Sequence, residues 1–384
     1  MCSSDLAIRG VIEGYYGRPW THAQRLRLID ELGACGMNAF VYGPKDDPLV
    51  RAEWRRPYDG EALERLRELV DRGRASGMEV AWCISPGLSI RYADAGDGDA
   101  LIAKIRSVAA IGVTRFGLLL DDIPGELRHA EDRAAFPDLA SAHVALIGRV
   151  FAALRPDERL IVCPTVYRGT GDDPYLATLA AIDPRIDCFW TGRAICSPTL
   201  DLADAAHLTR VLRRPPTYWD NYPVNDVAMG YELHVGPYRG RDPLLWRASA
   251  GVIANGMELF ESSRIPFRTI ADYLADPEGY DPEASWARAI RAVAKKQVPK
   301  GWTVQVAPGV SVEQRVEAAM RGDEIDRALL ADARHAGDVV AGVPDEREDI
   351  DHLRRLHPEL VHDALGVKPG AVLARVVDPY GAGC

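Results

Sequence analysis

The 384-residue chain has no run approaching the ~20 uninterrupted apolar residues that a membrane span requires, so no transmembrane helix is expected. It has no CxxC pair. Its seven cysteines (Cys2, Cys35, Cys83, Cys163, Cys188, Cys196 and Cys384) are odd in number and scattered. In a chain this long they read as reduced thiols of a cytosolic protein, with neither a disulfide framework nor a zinc site. No GxGxxG turn follows the first apolar run, so the fingerprint of an open dinucleotide-binding sheet is missing. Positive charge is not in excess either. Lys and Arg number 46 against 56 Asp and Glu, a formal net charge of −10, whereas a dedicated nucleic-acid binder presents a basic patch. The opening MCSSDLAIRG lacks a basic stretch followed by an apolar core, so no signal peptide is expected and a cytoplasmic location is. There is no internal repeat and no low-complexity tract.

What remains is a globular composition, 47% hydrophobic and 27% charged, in a length that suits one barrel plus an appendage. Eight short apolar runs read as strands: Ala7–Ile12, Asn38–Tyr42, Glu79–Ile84, Arg115–Leu120, Leu160–Cys163, Asp187–Trp190, Thr217–Trp219 and Gly251–Ala254. Their lack of alternation marks strands buried on both faces. Amphipathic stretches lie between them. Thr21 to Gln24 forms a capping box ahead of a helix over Arg25–Cys35. Gly60–Ser76, Ala100–Ile111, Leu139–Leu154, Tyr175–Ile182 and Leu202–Leu212 repeat the helical spacing. Alternating strands and helices predict a parallel sheet, and closure at eight strands a (β/α)8 barrel of the TIM type over residues 1–275. Beyond Asp276 the strand signal fades. Pro282–Lys296, Ser311–Val340 and Arg347–Leu365 read as helices, so residues 276–384 are expected to form a small α-helical C-terminal region.

Such a barrel does its chemistry where the loops leave the C-terminal ends of the strands. Those positions here are polar, aromatic or glycine throughout: Glu13-Gly-Tyr-Tyr-Gly-Arg-Pro-Trp20, Gly43-Pro-Lys-Asp-Asp47, Ser85-Pro-Gly87, Asp121-Asp122, Cys163-Pro-Thr-Val-Tyr167, Trp190-Thr-Gly192, Trp219-Asp-Asn-Tyr-Pro-Val-Asn-Asp226 and Asn255-Gly256. Asp121 and Asp122 stand out because they follow Leu118-Leu-Leu120 directly. Two carboxylates in one cleft resist double ionisation, which is expected to raise the proton affinity of one of them and supply an acid beside a base. A capping role for one aspartate is the plainer alternative. A metal site is not expected, since the nearest histidine, His129, has no partner at ligand spacing. Tyr15, Tyr16, Trp20, Tyr167, Trp190, Trp219 and Tyr222 lie at rim positions, where aromatic walls between polar groups suit a sugar. Each alone is better explained by packing, Trp20 especially.

Four motifs in this order, Glu13–Trp20, Pro44–Asp47, Leu118–Ile123 and Trp219–Asn221 with Asn225–Asp226, strongly resemble the catalytic domain of glycoside hydrolase family 84, over about Ile8 to Ser263. The resemblance implies a retaining exo-β-N-acetylglucosaminidase that works without a cofactor, in which the substrate's own acetamide attacks and forms an oxazoline, an exception to the scheme with an enzyme nucleophile. It implies that Asp121 orients the acetamide and that Asp122 is acid and then base. It further implies that Cys163, Tyr167, Thr191 and Trp219 line the acetyl pocket, and that Asn221 helps hold Asp121 and the acetamide. Gly14, Lys45, Asp226 and Asn255 would fix the ring hydroxyls. The implied partner is a GlcNAc-containing glycoside or glycoprotein, without nucleic acid or membrane. Val166 and Pro223-Val224 depart from the family's more polar residues and bear on the aglycone. Other readings are a hyaluronidase-type enzyme, an amino-sugar glycosidase of secondary metabolism, and a non-catalytic GlcNAc-binding barrel, which would have no need of both aspartates.

Overall fold

Strands β1 (Ile8–Glu13), β2 (Ala39–Tyr42), β3 (Glu79–Ile84), β4 (Arg115–Leu119), β5 (Arg159–Cys163), β6 (Asp187–Trp190), β7 (Thr217–Asp220) and β8 (Gly251–Asn255) pair in chain order, all parallel. They are seen in a computed structural model that describes residues 6–230, 232–294 and 375–376. The barrel closes where β1 pairs with β2 on one side (Gly10 opposite Ala39) and with β8 on the other (Ile8 opposite Gly251). The (β/α)8 expectation is met, and every strand lies within one residue of its expected ends. The reason is visible in the interior. Ile8 and Ile12, Ala39 and Val41, Ala81 and Cys83, Leu119, Ile161 and Cys163, Phe189, Trp219 and Ile253 form one buried cluster to which all eight strands contribute. Outward-facing residues are also buried, so each strand is apolar on both faces.

The helices are α1 (His22–Ala34), α2 (Gly60–Ala75), α3 (Ala95–Ala109), α4 (Ala130–Ala135), α5 (Leu139–Ala152), α6 (Pro174–Leu179), α7 (Leu202–Leu212), α8 (Phe260–Ala275) and α9 (Pro282–Ala294). The capping box at Thr21 and Gln24 is present in both directions, so α1 starts at His22, ahead of the first apolar residue of its stripe. Helix α3 starts five residues before the expected Ala100. Asp94 caps it by accepting from the Gly96 N–H at 2.7 Å, and its first turn, Ala-Gly-Asp-Gly-Asp, carries no apolar side chain to reveal it. Helices α4 and α8 were not expected. Pro266 inside α8 interrupts the sequence pattern, yet the helix continues through it.

The chain divides into two compact units. The first comprises the residues up to Tyr222 with Gly240–Asn255 and Ala271–Gly279, and so contains every barrel strand; the expected boundary after residue 275 falls inside its last segment. The second comprises Pro223–Arg239, Gly256–Ile270 and the chain from Tyr280. Within it Ile265 packs with Trp286, Ala289, Ile290 and Val293 of α9, and the Trp286 indole donates to the Val235 carbonyl at 2.7 Å. The expected helix from Pro282 is thus α9. The helices expected over 311–340 and 347–365, the capping box at Ser311, Cys2 and Cys384 lie outside the described residues. Cys83, Cys163 and Cys188 are buried free thiols. No helix among the described residues is long and apolar enough to cross a membrane.

Candidate active site

The end of β4 is tied to β5 before the chain turns. The Leu120 N–H donates to the Cys163 carbonyl at 2.8 Å, and the Thr165 hydroxyl donates to the Leu120 carbonyl at 2.7 Å. With Leu120 held, Asp121 is buried at the strand's end and Asp122 turns outward with φ +52°, a left-handed backbone. That conformation costs a non-glycine residue about 1–2 kcal/mol and is tolerated best by Asn and Asp.

Lys45, from the loop after β2, reaches the same place. Its ammonium hydrogen-bonds Asp121 Oδ2 and lies 3.8 Å from Asp122 Oδ2, with its own side chain only 2% exposed. It is not a solvated lysine beside Asp46 and Asp47. Those two carboxylates accept instead from the Gly17 N–H (2.7 Å) and from the Tyr42 hydroxyl (2.5 Å), shaping the loops after β1 and β2. Burial lowers the Lys45 pKa, but Asp121 foremost, then Tyr16 and Asp122, outweigh it and raise the pKa, so the group is an ammonium. The second oxygen of Asp121, Oδ1, is buried and has no hydrogen-bond partner.

Asp122 is held by two phenols. Tyr16 donates to Oδ2 at 2.8 Å and Tyr167 to Oδ1 at 3.0 Å. Partial burial pushes its carboxyl up, but Lys45, the two hydroxyls and Arg51 together leave its pKa below the usual carboxylate range. The expected rise in proton affinity is therefore not found at Asp122. A cation stands beside both aspartates and replaces their mutual repulsion with attraction.

A second knot lies beside this one. The Gly14 N–H donates to Asn255 Oδ1 at 3.1 Å, the Asn255 amide donates to Asn221 Oδ1 at 3.0 Å, and the Trp219 indole donates to the same oxygen at 3.0 Å. The Asn221 amide goes to the Ile195 carbonyl, so Asn221 orients Trp219 and Asn255 and does not hold Asp121. Gly14 is required where it stands, since a Cβ there would lie 2.4 Å from the Trp219 ring. The Trp219 ring packs edge-on against Phe189 and lies 5.5 Å from the Lys45 ammonium. Cys163 is buried in the same cluster, its thiol pushed well up by burial and then by Asp121. Thr191 donates its N–H to the Tyr167 carbonyl at 2.9 Å and its hydroxyl to Ala194, so it sets the loop that carries Tyr167.

The structure thus gathers Asp121, Asp122, Lys45, Tyr167, Cys163 and Trp219, with Gly14, Asn221 and Asn255 alongside. Asp226 belongs to the second unit, where it is half-buried and precedes a short turn, Val227–Met229. Of the rim aromatics, Tyr15 and Trp20 pack against each other 5.4 Å apart as a buried loop core, and Trp190 and Tyr222 are buried. Glu13 is structural as well: it accepts from the Trp20 N–H and from Arg25, anchoring α1 to β1. Arg51 was not foreseen. It donates to the Tyr16 hydroxyl and the Asp122 carbonyl across 35 and 71 residues of sequence, separations that leave no trace in local spacing. Among the described residues no three His, Cys, Asp or Glu side chains gather to hold a metal ion.

With this geometry in place, the likeness to known proteins is specific. Residues 9–304 match the profile of a family described as beta-N-acetylglucosaminidase. The Protein O-GlcNAcase of Rattus norvegicus is 33% identical over 271 residues, which is 69% of this chain and 29% of that protein, and that of Mus musculus matches with the same figures. The chain therefore spans 29% of the length of these curated relatives. Among solved structures, an O-GlcNAc hydrolase mutant from Thermobaculum terrenum aligns with a TM-score of 0.74 at 32% identity, over 93% of this chain and 82% of that one. The matched profile runs through all eight barrel strands and through both aspartates, and by it the chain belongs to the beta-N-acetylglucosaminidase family, glycoside hydrolase family 84.

Proposed function

We propose that the protein removes terminal β-linked GlcNAc from a glycoside or glycoprotein, with retention, using the substrate's acetamide as nucleophile. The observation that carries this reading is the unsatisfied Oδ1 of Asp121. A buried carboxylate oxygen without a donor is costly, and the N–H of a 2-acetamido group is the donor that such a substrate brings. Accepting that hydrogen bond turns the acetamide oxygen toward the anomeric carbon. As the C–O bond forms and the aglycone bond breaks, positive charge grows on the acetamide nitrogen against Asp121. Charge stabilisation of this kind is commonly worth several kcal/mol in a water-poor site.

Asp122 supplies the proton to the departing oxygen and afterwards takes one from water. Lys45, the two phenols and Arg51 favour its anion, the form needed for the second step. For the first step the aglycone must cover its side chain, now 33% exposed, and draw the phenols away, both of which favour the protonated form. Trp219 and Cys163, buried together below the rim, provide an apolar wall for the acetyl methyl. The names of the relatives, O-GlcNAcases, support GlcNAc on protein as the substrate class.

The test is a set of initial rates on aryl β-GlcNAc, aryl β-glucoside, and aryl β-glucosamine with a free amine. Hydrolysis of the first alone is expected. Comparable rates on the last two, or a covalent glycosyl-enzyme adduct detected by mass spectrometry, would refute acetamide participation.

A further inference from the structure

We propose that Arg51 is a positioning residue for Asp122, acting through the hydroxyl of Tyr16 and through the backbone of Asp122 itself. This rests on the acid–base role proposed above. One guanidinium nitrogen donates to the Tyr16 oxygen at 2.5 Å, and the other donates to the Asp122 carbonyl at 3.2 Å. Because Arg51 occupies a lone pair of the Tyr16 oxygen, the phenolic proton is directed to Asp122 Oδ2 at 2.8 Å. The guanidinium also lies 5.3 Å from the centre of the Tyr16 ring, so the phenol is gripped by its face as well as its tip. The second nitrogen holds the carbonyl of a residue whose φ is +52°, a backbone that persists only where its surroundings enforce it. A planar two-pronged donor is needed to do both at once.

Arg51 is itself anchored. Its N–H donates to the Asp47 carbonyl, and the same turn is held from below by Lys104, whose ammonium binds the carbonyls of Leu49 and Arg56. Asp122 is faced by Tyr16 from the loop after β1, by Lys45 and Arg51 from the loop after β2, and by Tyr167 from the loop after β5, with Asp121 beside it in the chain. Lys45 is committed to Asp121, and the phenols are neutral donors. Among the described residues Arg51 is therefore the cation that holds Asp122 in place without also holding Asp121.

The test compares the wild type with Arg51→Met, Arg51→Lys, Tyr16→Phe and Asp122→Asn. Each is assayed on GlcNAc glycosides with a poor alkyl and a good aryl leaving group across pH. Arg51→Met is expected to lower kcat/KM on the alkyl glycoside about 10- to 100-fold and on the aryl glycoside much less. Its alkaline limb should move up by about 0.5–1 pH unit, because a cation that disfavours protonation of Asp122 is gone. Arg51→Lys restores the charge and not the fork, so the limb should return while the alkyl rate stays low. Tyr16→Phe should reproduce the alkyl-selective loss, and combining it with Arg51→Met should cost less than the product of the two single losses, because one of the two routes is shared. Equal losses on both glycosides with an unmoved limb would reduce Arg51 to a structural residue and overturn the assignment. If Asp122→Asn itself shows no leaving-group dependence, the acid–base reading fails first, which separates the two conclusions.

Discussion

Lys45 and Asp121 form a buried ion pair, their side chains 2% and 7% exposed, and the pair leaves one carboxylate oxygen without a partner. Under the function proposed above, that oxygen would accept from the substrate's N–H. Removing the cation should therefore harm both stability and binding. Lys45→Met is expected to destabilise the fold by about 3–5 kcal/mol, because it strands a buried carboxylate. Chemical denaturation measures this, and Lys45→Met combined with Asp121→Asn should recover part of the loss. A double variant as unstable as the sum of the singles would show that the pair does not act as a unit.

The two aspartates should differ in how they respond to the leaving group. Asp122→Asn is expected to cost roughly 10²–10⁴-fold on alkyl glycosides and far less on activated aryl glycosides, since only the former require protonation. Asp121→Asn should cost similar amounts on both, because the acetamide must attack in either case. Leaving-group series for the two variants that run parallel would contradict the division of labour.

Gly14→Ala probes the close approach of the first loop to Trp219. The added methyl, 2.4 Å from the ring, must displace the indole that Asn221 orients. A loss of about 1–3 kcal/mol is expected from overpacking, with a rise in KM for GlcNAc glycosides as the acetyl wall shifts. An unchanged KM would mean that Trp219 does not form that wall.

Acid stability should carry the signature of His143. This ring is fully buried between the hydroxyls of Tyr92 and Tyr175, each 2.8 Å away, and burial depresses its pKa from 6.5 to about 3. The unfolded chain takes up a proton below pH 6.5 that the folded chain refuses until about pH 3. The contribution of the neutral ring is therefore full above pH 6.5 and lost as pH falls toward 3, with a slope of at most about 1.4 kcal/mol per pH unit. His143→Gln should be less stable at pH 7 but lose less on acidification. Unfolding free energies for the two proteins that stay a constant distance apart from pH 7 to 4 would remove His143 as the cause.

Local chemistry made much of this molecule legible in advance. Runs such as Glu79–Ile84 and Asp187–Trp190 could be placed to the residue because each is a short, continuous buried apolar run whose start is marked by a half-buried carboxylate. Helix α3 hid its first turn behind glycine and aspartate, and α8 hid behind Pro266, because periodicity detects only turns that carry apolar side chains. Asp121 and Asp122 were recognisable because carboxylates straight after three leucines have no packing role.

From residue order alone came the barrel, the rim and the acid pair, each set by neighbours within a few positions along the chain. Only folding in three dimensions decided that Lys45 stands between the aspartates, that Asn221 serves Trp219 in place of Asp121, and that Arg51 reaches Asp122 through Tyr16. Charge state and orientation depend on which groups meet across the barrel mouth, and closure of eight strands brings together loops that the chain itself keeps tens of residues apart.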